Sequence, residues 1–307
     1  MNNYKPEGCN FRSAHNQRLI STIQGLKEAM ENGFIAEARA IVCDSSHNLI
    51  VELPCGKAVI PRTEGALGIN DGSVRDIALI SRVNKIVCFK VVSVQNDIDE
   101  NGFCAVLSRR LAQEECSERY ISSLAPGDVI GAKVTHLEQF GCFVDIGCGI
   151  PSLIPIDMIS VSRISHPSDR FRIGEEIRAV VKANDGNRIF LTHKELLGTW
   201  EENAACFKIG ETVSGIVRSI ENYGIFVELS PNLAGLAEPR EGLTPGQNIS
   251  VYIKAIIPDK MKIKLIIVDV CGEKSPPSKG KYFFEEDHMK SWQYAPEKCG
   301  KNMNTVF

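Results

Sequence analysis

Residues 139–146 read QFGCFVDI, and residues 222–229 read NYGIFVEL. The two stretches align without a gap, and their glycines, Gly141 and Gly224, lie 224 minus 141, or 83, residues apart. That interval is too long for a solenoid repeat and suits small domains with separate cores. Around the first stretch stand DVIGAKVTHLE, SLIP, EEIRAVVKA and RIFLTHKE; around the second stand ETVSGIVRSIE, LAGLAE, QNISVYIKAII and MKIKLII. Each unit therefore has five short β-branched runs. An odd number of short strands with a glycine in the second favours a small closed barrel. Glycine lets a strand coil at a corner, and closure removes exposed edges. A β-sandwich or open antiparallel sheet is the competing architecture.

A third copy lies upstream. VELPCG at 51–56 matches VDIGCG at 144–149, and EARAIVCD, HNLIVEL, KAVIP, NKIVCFKVVSV and FCAVLSRR supply strand-like runs around an insertion at 62–84. Residues 1–17 are polar and are expected to be mobile. Residues 18–31 place Leu19, Ile23, Leu26 and Met30 on one helical stripe, which Asn32-Gly33 should end. AQEECSERYISSL suggests a connecting helix that stops at Pro126-Gly127.

The chain has 307 residues, 43% hydrophobic and 24% charged, with net charge −3 and a pI near 6.1. This is a globular composition without the basic field of a protein that coats duplexes by charge, so any nucleic-acid binding must be local. Eleven cysteines are scattered with no CxxC pair, which argues against a zinc ribbon and suits a reducing cytoplasm. The opening MNNYKPEGCNFRS has no apolar core of a secretory signal, and the longest apolar run, IKLIIVDV, is strand length.

Residues 126–195 resemble the RNA-binding domain named after ribosomal protein S-one. The shared marks are Gly131, Phe-Gly-x-Phe-Val at 140–144, Leu153, His166-Pro167 before Gly174, and Arg-Ile-x-Leu-Thr at 188–192. Residues 206–270 resemble the same family through Gly210, Gly215, Tyr223-Gly-Ile-Phe226-Val and Gly235-Leu236; residues 34–111 match more weakly. The resemblance implies a mainly β fold: three tandem five-stranded OB-fold barrels with an N-terminal helix and connecting helices. The expected divisions are an N-terminal segment (1–33), a degenerate barrel (34–111), a linker helix (112–125), an RNA-binding barrel (126–198), a shortened RNA-binding barrel (206–270), and a linker with an aromatic tail (271–307).

On this surface the family stacks bases on aromatics and holds phosphates with cations. In the middle unit that assigns RNA binding to Phe140, Phe143 and Arg188, with Lys133, Lys182 and Lys194 as weaker phosphate candidates. Either phenylalanine also suits a barrel core. His166 is a further family position, equally suited to capping a turn. The family's histidine is replaced by Pro155, and its acidic position falls on Asn184. In the third unit Tyr223 and Phe226 take the aromatic positions, Lys262 replaces the arginine, Lys264 shares its face, and Glu238 stands where the histidine would be. The first unit has His47, Ile50, Pro61 and Cys104 at these positions and lacks the stacking set. It is expected either to dock on a protein, with the small ribosomal subunit as candidate, or to act as a spacer.

The tail KYFFEEDHMKSWQY suits packing against a domain better than base stacking. No Walker loop, GxSxG or HExxH occurs, and the acidic clusters lack the spread of a two-metal nuclease. The expectation is a cytoplasmic, non-catalytic protein without cofactor, metal, membrane or small-molecule substrate. It would bind single-stranded RNA in translation. The alternative is a protein-interaction scaffold in a ribosome-associated or RNA-decay assembly.

Overall fold

The computed structural model describes residues 4–95, 102–186, 188–271 and 280–307. The serine-proline linker at 275–278 lies outside the described residues. The chain forms two compact units, Met1–Leu124 with Asp145–Pro151, and Ala125–Val144 with Ser152–Phe307.

In the first unit, the single helix expected over 18–31 is two. They are α1 (Ala14–Ile20) and α2 (Ile23–Asn32). Thr22 takes an extended conformation between them and accepts the Gly25 N–H, so a new N-cap breaks the stripe. A Cβ on Gly25 would stand 2.5 Å from the Leu19 carbonyl oxygen, so the helix pair closes on this glycine. Gly33, at φ 65°, ends α2. Then come β1 (Ala36–Cys43), β2 (Leu49–Leu53), β3 (Gly56–Ile60), α3 (Ile77–Ile80) in the insertion, β4 (Ile86–Val94) and β5 (Phe103–Ser108). The five strands close in the order β1-β2-β3-β5-β4. Leu19, Leu26 and Ala29 of the helix pair join its core with Leu49, Ile60 and Phe89.

The helix after this barrel, α4, runs Arg109–Arg119, three residues earlier than expected, because Ser108 at the strand end caps it. The N-terminal segment is not mobile throughout. Glu7 is buried, with its carboxylate on Arg109 Nε at 2.7 Å and on Arg82 at 3.2 Å. Burial alone would raise its pKa, but the two guanidiniums and the Cys88 N–H bring it below the usual range. Its backbone N–H donates to Asp145, whose carboxyl is pushed up to about 6 by burial and by Glu7.

The middle barrel uses β6 (Val129–Glu138), β7 (Gly141–Asp145), β8 (Pro151–Pro155), β9 (Glu176–Asn184) and β10 (Ile189–Thr192), and closes in the same cyclic order. A short α5 (Trp200–Ala204), with a capping box from Thr199 and Glu202, leads to the third barrel. That barrel is β11 (Thr212–Glu221), β12 (Gly224–Ser230), β13 (Leu233–Ala237), β14 (Asn248–Ile257) and β15 (Lys262–Cys271). Its core of Val217, Val227, Ile249, Val251 and Leu265 extends to Trp200. All three repeats are thus closed five-stranded barrels of OB type.

Within the second unit two devices bind the barrels to each other. First, Glu228 of β12 is buried between Arg170 at 2.6 Å and Arg218 at 2.7 Å, and Arg218 also reaches Asp169 at 3.0 Å. Arg170 and Asp169 belong to the segment that follows His166 in the middle barrel. Second, the tail pairs β16 (Ser291–Gln293) with β17 (Asn304–Val306) and buries Trp292 and Tyr294 in the third barrel's core. The Tyr294 hydroxyl donates to the Asn232 carbonyl at 2.6 Å. Upstream, the carbonyls of Phe284, Glu285 and Glu286 clasp the Arg178 guanidinium of β9. The aromatic tail is packing, as its composition suggested.

Tyr282 links the tail to a buried histidine. Its hydroxyl accepts the Arg178 N–H and lies 3.3 Å from His193 Nε2, while His193 Nδ1 lies 2.9 Å from the Ile159 carbonyl. A neutral ring donating to Ile159 and accepting from Tyr282 satisfies every group, and burial lowers the His193 pKa to about 4.

Two outcomes follow. Glu228→Gln strips buried Arg170 of its counter-charge and leaves Arg218 only Asp169, and urea unfolding of the whole chain should show a loss of about 3–5 kcal/mol. For His193, the unfolded chain takes up a proton near the ordinary 6.5 and the folded chain only near 4, so stability falls as pH drops through that window. His193→Asn should flatten the pH 7 to pH 5 stability difference by about 2 kcal/mol.

Candidate nucleic-acid interface

The glycine that opens the second strand sets the site. A Cβ on Gly141 would stand 2.6 Å from the Ile154 carbonyl oxygen, and one on Gly224 would stand 2.7 Å from that of Ala237. The third strand's backbone therefore passes directly over the bend, and only glycine leaves room. In the first barrel the same position is Asn48. There the side chain accepts the Arg62 N–H at 2.9 Å instead.

The bend seats one aromatic before it and one after. Phe140 and Phe143 meet edge to face, with centroids 5.9 Å apart at 88°. Tyr223 and Phe226 do the same at 6.2 Å and 89°. Phe140 is 57% exposed and Tyr223 68%, while Phe143 and Phe226 are half-buried. Neither pair is spent on a barrel core. Each leaves ring area open to solvent instead of packing it into a core.

Two residues passed over in the sequence join the middle platform. The His136 ring lies 6.4 Å from Phe143 and is 60% exposed on its side chain. Phe190 on β10, 46% exposed, pairs in register with Leu153. Strand alternation was the available signal: Phe190 stands between buried Ile189 and Leu191. The Ile156 N–H donates to the Phe140 carbonyl, an antiparallel register that sets Leu153 beside Phe143. His136, Phe143, Leu153 and Phe190 thus form one outward row across four strands. The third barrel's row is Ser219, Phe226, Leu236 and Lys264. The first barrel's row is Val42, Ile50, Val59 and Val106, and Val42 is 43% exposed.

The other candidates distribute unevenly. Arg188 is exposed at the foot of the β9–β10 hairpin, where its N–H donates to Asp185. Lys182 fills the bulge of β9 opposite Phe190 and Leu191, with its ammonium 3.8 Å from the Met158 sulfur. The Lys194 ammonium lies 3.4 Å from the Asp157 carbonyl. Lys133 pairs in register with Glu176 on β9. His166 caps the turn at Pro167–Asp169 by accepting the Ser168 N–H at 3.1 Å. Lys262 and Lys264 are exposed on one face of β15, and Glu238 is exposed at the end of β13. In the first barrel Cys104 is buried in the core, so no cation stands at that position.

No group of His, Cys, Asp or Glu among the described residues could hold a metal ion, and no helix among them is long and apolar enough to cross a membrane. The S1 RNA binding domain family matches residues 123–194. Small ribosomal subunit protein bS1 of Staphylococcus aureus (strain COL) is 30% identical over 213 residues, which is 62% of this chain and 54% of that protein. The bS1 protein of Staphylococcus saprophyticus is 32% identical over 189 residues, 56% of this chain and 48% of the relative. The chain spans about half the length of the curated relatives it matches. Among solved structures, a multidomain protein with nucleic acid binding domains from Streptococcus pneumoniae aligns over 76% of this chain and 73% of its own at 13% identity. Its TM-score is 0.26, a likeness too loose to carry an argument.

Placing a methyl group at either bend should separate the aromatic pair from its strand. Gly141→Ala is expected to cost about 1–3 kcal/mol of stability, read as a lowered urea midpoint. Gly131→Ala, where nothing lies within 4 Å of the added carbon, serves as the comparison.

Proposed function

We propose that this protein binds single-stranded RNA without catalysis, a reading supported by the match of residues 123–194 to the S1 RNA binding domain family within a chain of three closed five-stranded barrels. The exposed edge-to-face pair Phe140–Phe143 is the observation that carries this reading. Bases stack on such rings with little sequence preference, at about 1–3 kcal/mol per base. Arg188 at the foot of the β9–β10 hairpin and Lys182 in the bulge of β9 supply the cations for phosphates. The third barrel, with Tyr223, Phe226, Lys262 and Lys264, is a second and weaker site, and Glu238 works against phosphate there. The Glu228 network keeps both barrels in one unit, so a strand held by one is presented to the other at high effective concentration. The role suits mRNA handling in translation in the cytoplasm, given the likeness to bS1.

The first barrel takes a different part. Its row of Val42, Ile50, Val59 and Val106 has neither ring nor cation, so it fits an apolar protein surface, with the small ribosomal subunit as candidate. This favours protein docking over a mere spacer.

Fluorescence-anisotropy titration of an unstructured RNA against the intact chain tests the reading. The Phe140→Ala/Phe143→Ala double variant should lose at least about 30-fold in affinity, and Ile50→Ala should leave RNA affinity unchanged. Equal affinity of wild type and double variant, or a preference for duplex RNA, overturns it.

A further inference from the structure

The three outward rows share one geometry and differ in chemistry at their fourth position. It is Val106 in the first barrel, Phe190 in the middle and Lys264 in the third. Phe190 is a large ring held open to solvent, flanked by buried Ile189 and Leu191, so the strand fixes its direction and no core claims it. Leu153 lies between it and Phe143. With neighbouring strands about 4.8 Å apart, the two rings stand on strands roughly 10 Å apart. That separation admits two splayed bases, one on each ring, with Leu153 as the apolar floor. Lys182, in the bulge opposite Phe190, adds a cation where the backbone of the second base would pass.

We propose that Phe190 is a second base-stacking surface of the middle barrel, so that this barrel grips bases on either side of Leu153, at Phe143 and at Phe190. The third barrel, by contrast, grips a base at Phe226 and a phosphate at Lys264. The inference rests on the RNA-binding reading above and assigns the division of labour within it. Aromatic and cationic fourth positions predict opposite salt behaviour. Stacking contributes no released counterion, whereas each lysine on a single strand adds about 0.7 to the slope of log affinity against log salt.

The test uses the full chain and a fluorescein-labelled oligouridine of about twelve nucleotides. Phe190→Ala should weaken binding roughly five- to hundred-fold with the salt slope unchanged. Phe190→Lys should steepen the slope by about 0.7, and Lys264→Phe should flatten it by about 0.7. Both positions are solvent-facing, and thermal unfolding of each variant checks that the fold is kept. If Phe190→Ala binds like wild type while the Phe140→Ala/Phe143→Ala variant is weakened, the second surface is refuted and the RNA reading stands. If Phe190→Ala loses affinity with a flattened slope, the ring acts through a neighbouring cation and the stacking assignment falls. If the wild type binds no oligouridine, both fall together.

Discussion

The carbonyl oxygens of Ile154 and Ala237 press against the bends at Gly141 and Gly224, and most of what the two later barrels present depends on that approach. It lets the second strand coil tightly against the third. The residue before the glycine is thrown outward, and the residue two after it faces outward beside the third strand. Phe140 with Phe143 and Tyr223 with Phe226 therefore arrive at one edge-to-face geometry from different sequences. The first barrel closes the same five strands without the glycine. Asn48 fills the place by bonding its side chain to the Arg62 N–H, and His47 before it adopts φ 62°. Barrel closure and aromatic platform are thus separable, and the first barrel keeps only the former.

Chemistry on a common scaffold then divides the barrels. Backbone register fixes where each row of side chains faces, so one substitution per strand changes the chemistry the row presents without changing the fold. An aliphatic row excludes phosphate and offers no face for a base. A row with rings at both ends suits splayed single-stranded bases, and a ring with a lysine suits one base and its backbone. Glycine bends are also costly in conformational entropy. Their presence in the two barrels that bear exposed rings, and absence from the one that does not, fits a constraint imposed by the surface rather than by the core.

The second unit spends charge and aromatic area on holding itself together. Glu228 is a buried carboxylate paired with two arginines, an arrangement worth little over an apolar replacement but costly to break on one side. The tail adds Trp292 and Tyr294 to the third barrel's core and lays backbone carbonyls on Arg178. Arginines that a composition count would credit to nucleic acid are instead consumed internally: Arg170, Arg178 and Arg218 here, and Arg109 in the first unit. The cations left on the aromatic side of the middle barrel are few. This agrees with a net charge of −3 and is in keeping with the proposal that rings, more than cations, carry RNA binding.

The sequence by itself determined the barrels, their number and both aromatic pairs, because these depend on local signals: β-branched runs, a glycine at fixed spacing, and alternation within a single strand. It also marked the third barrel's lysines and the first barrel's missing platform by simple alignment of the repeats. Only the tertiary structure decided what those residues have for neighbours. Phe190 joins Phe143 through β8, and His136 joins it from β6. His166 turns to cap its own helix, Glu7 leaves a polar terminus to neutralise Arg109, and Thr22 splits one helical stripe into two. The Thr22 and His166 caps are local bonds to the Gly25 and Ser168 N–H groups, whereas the ring row and the Glu7 pair rest on strand register or on burial of a charge against a partner far along the chain. Those are set by closure of the barrels and the fit of their surfaces, and no local pattern of residues encodes them.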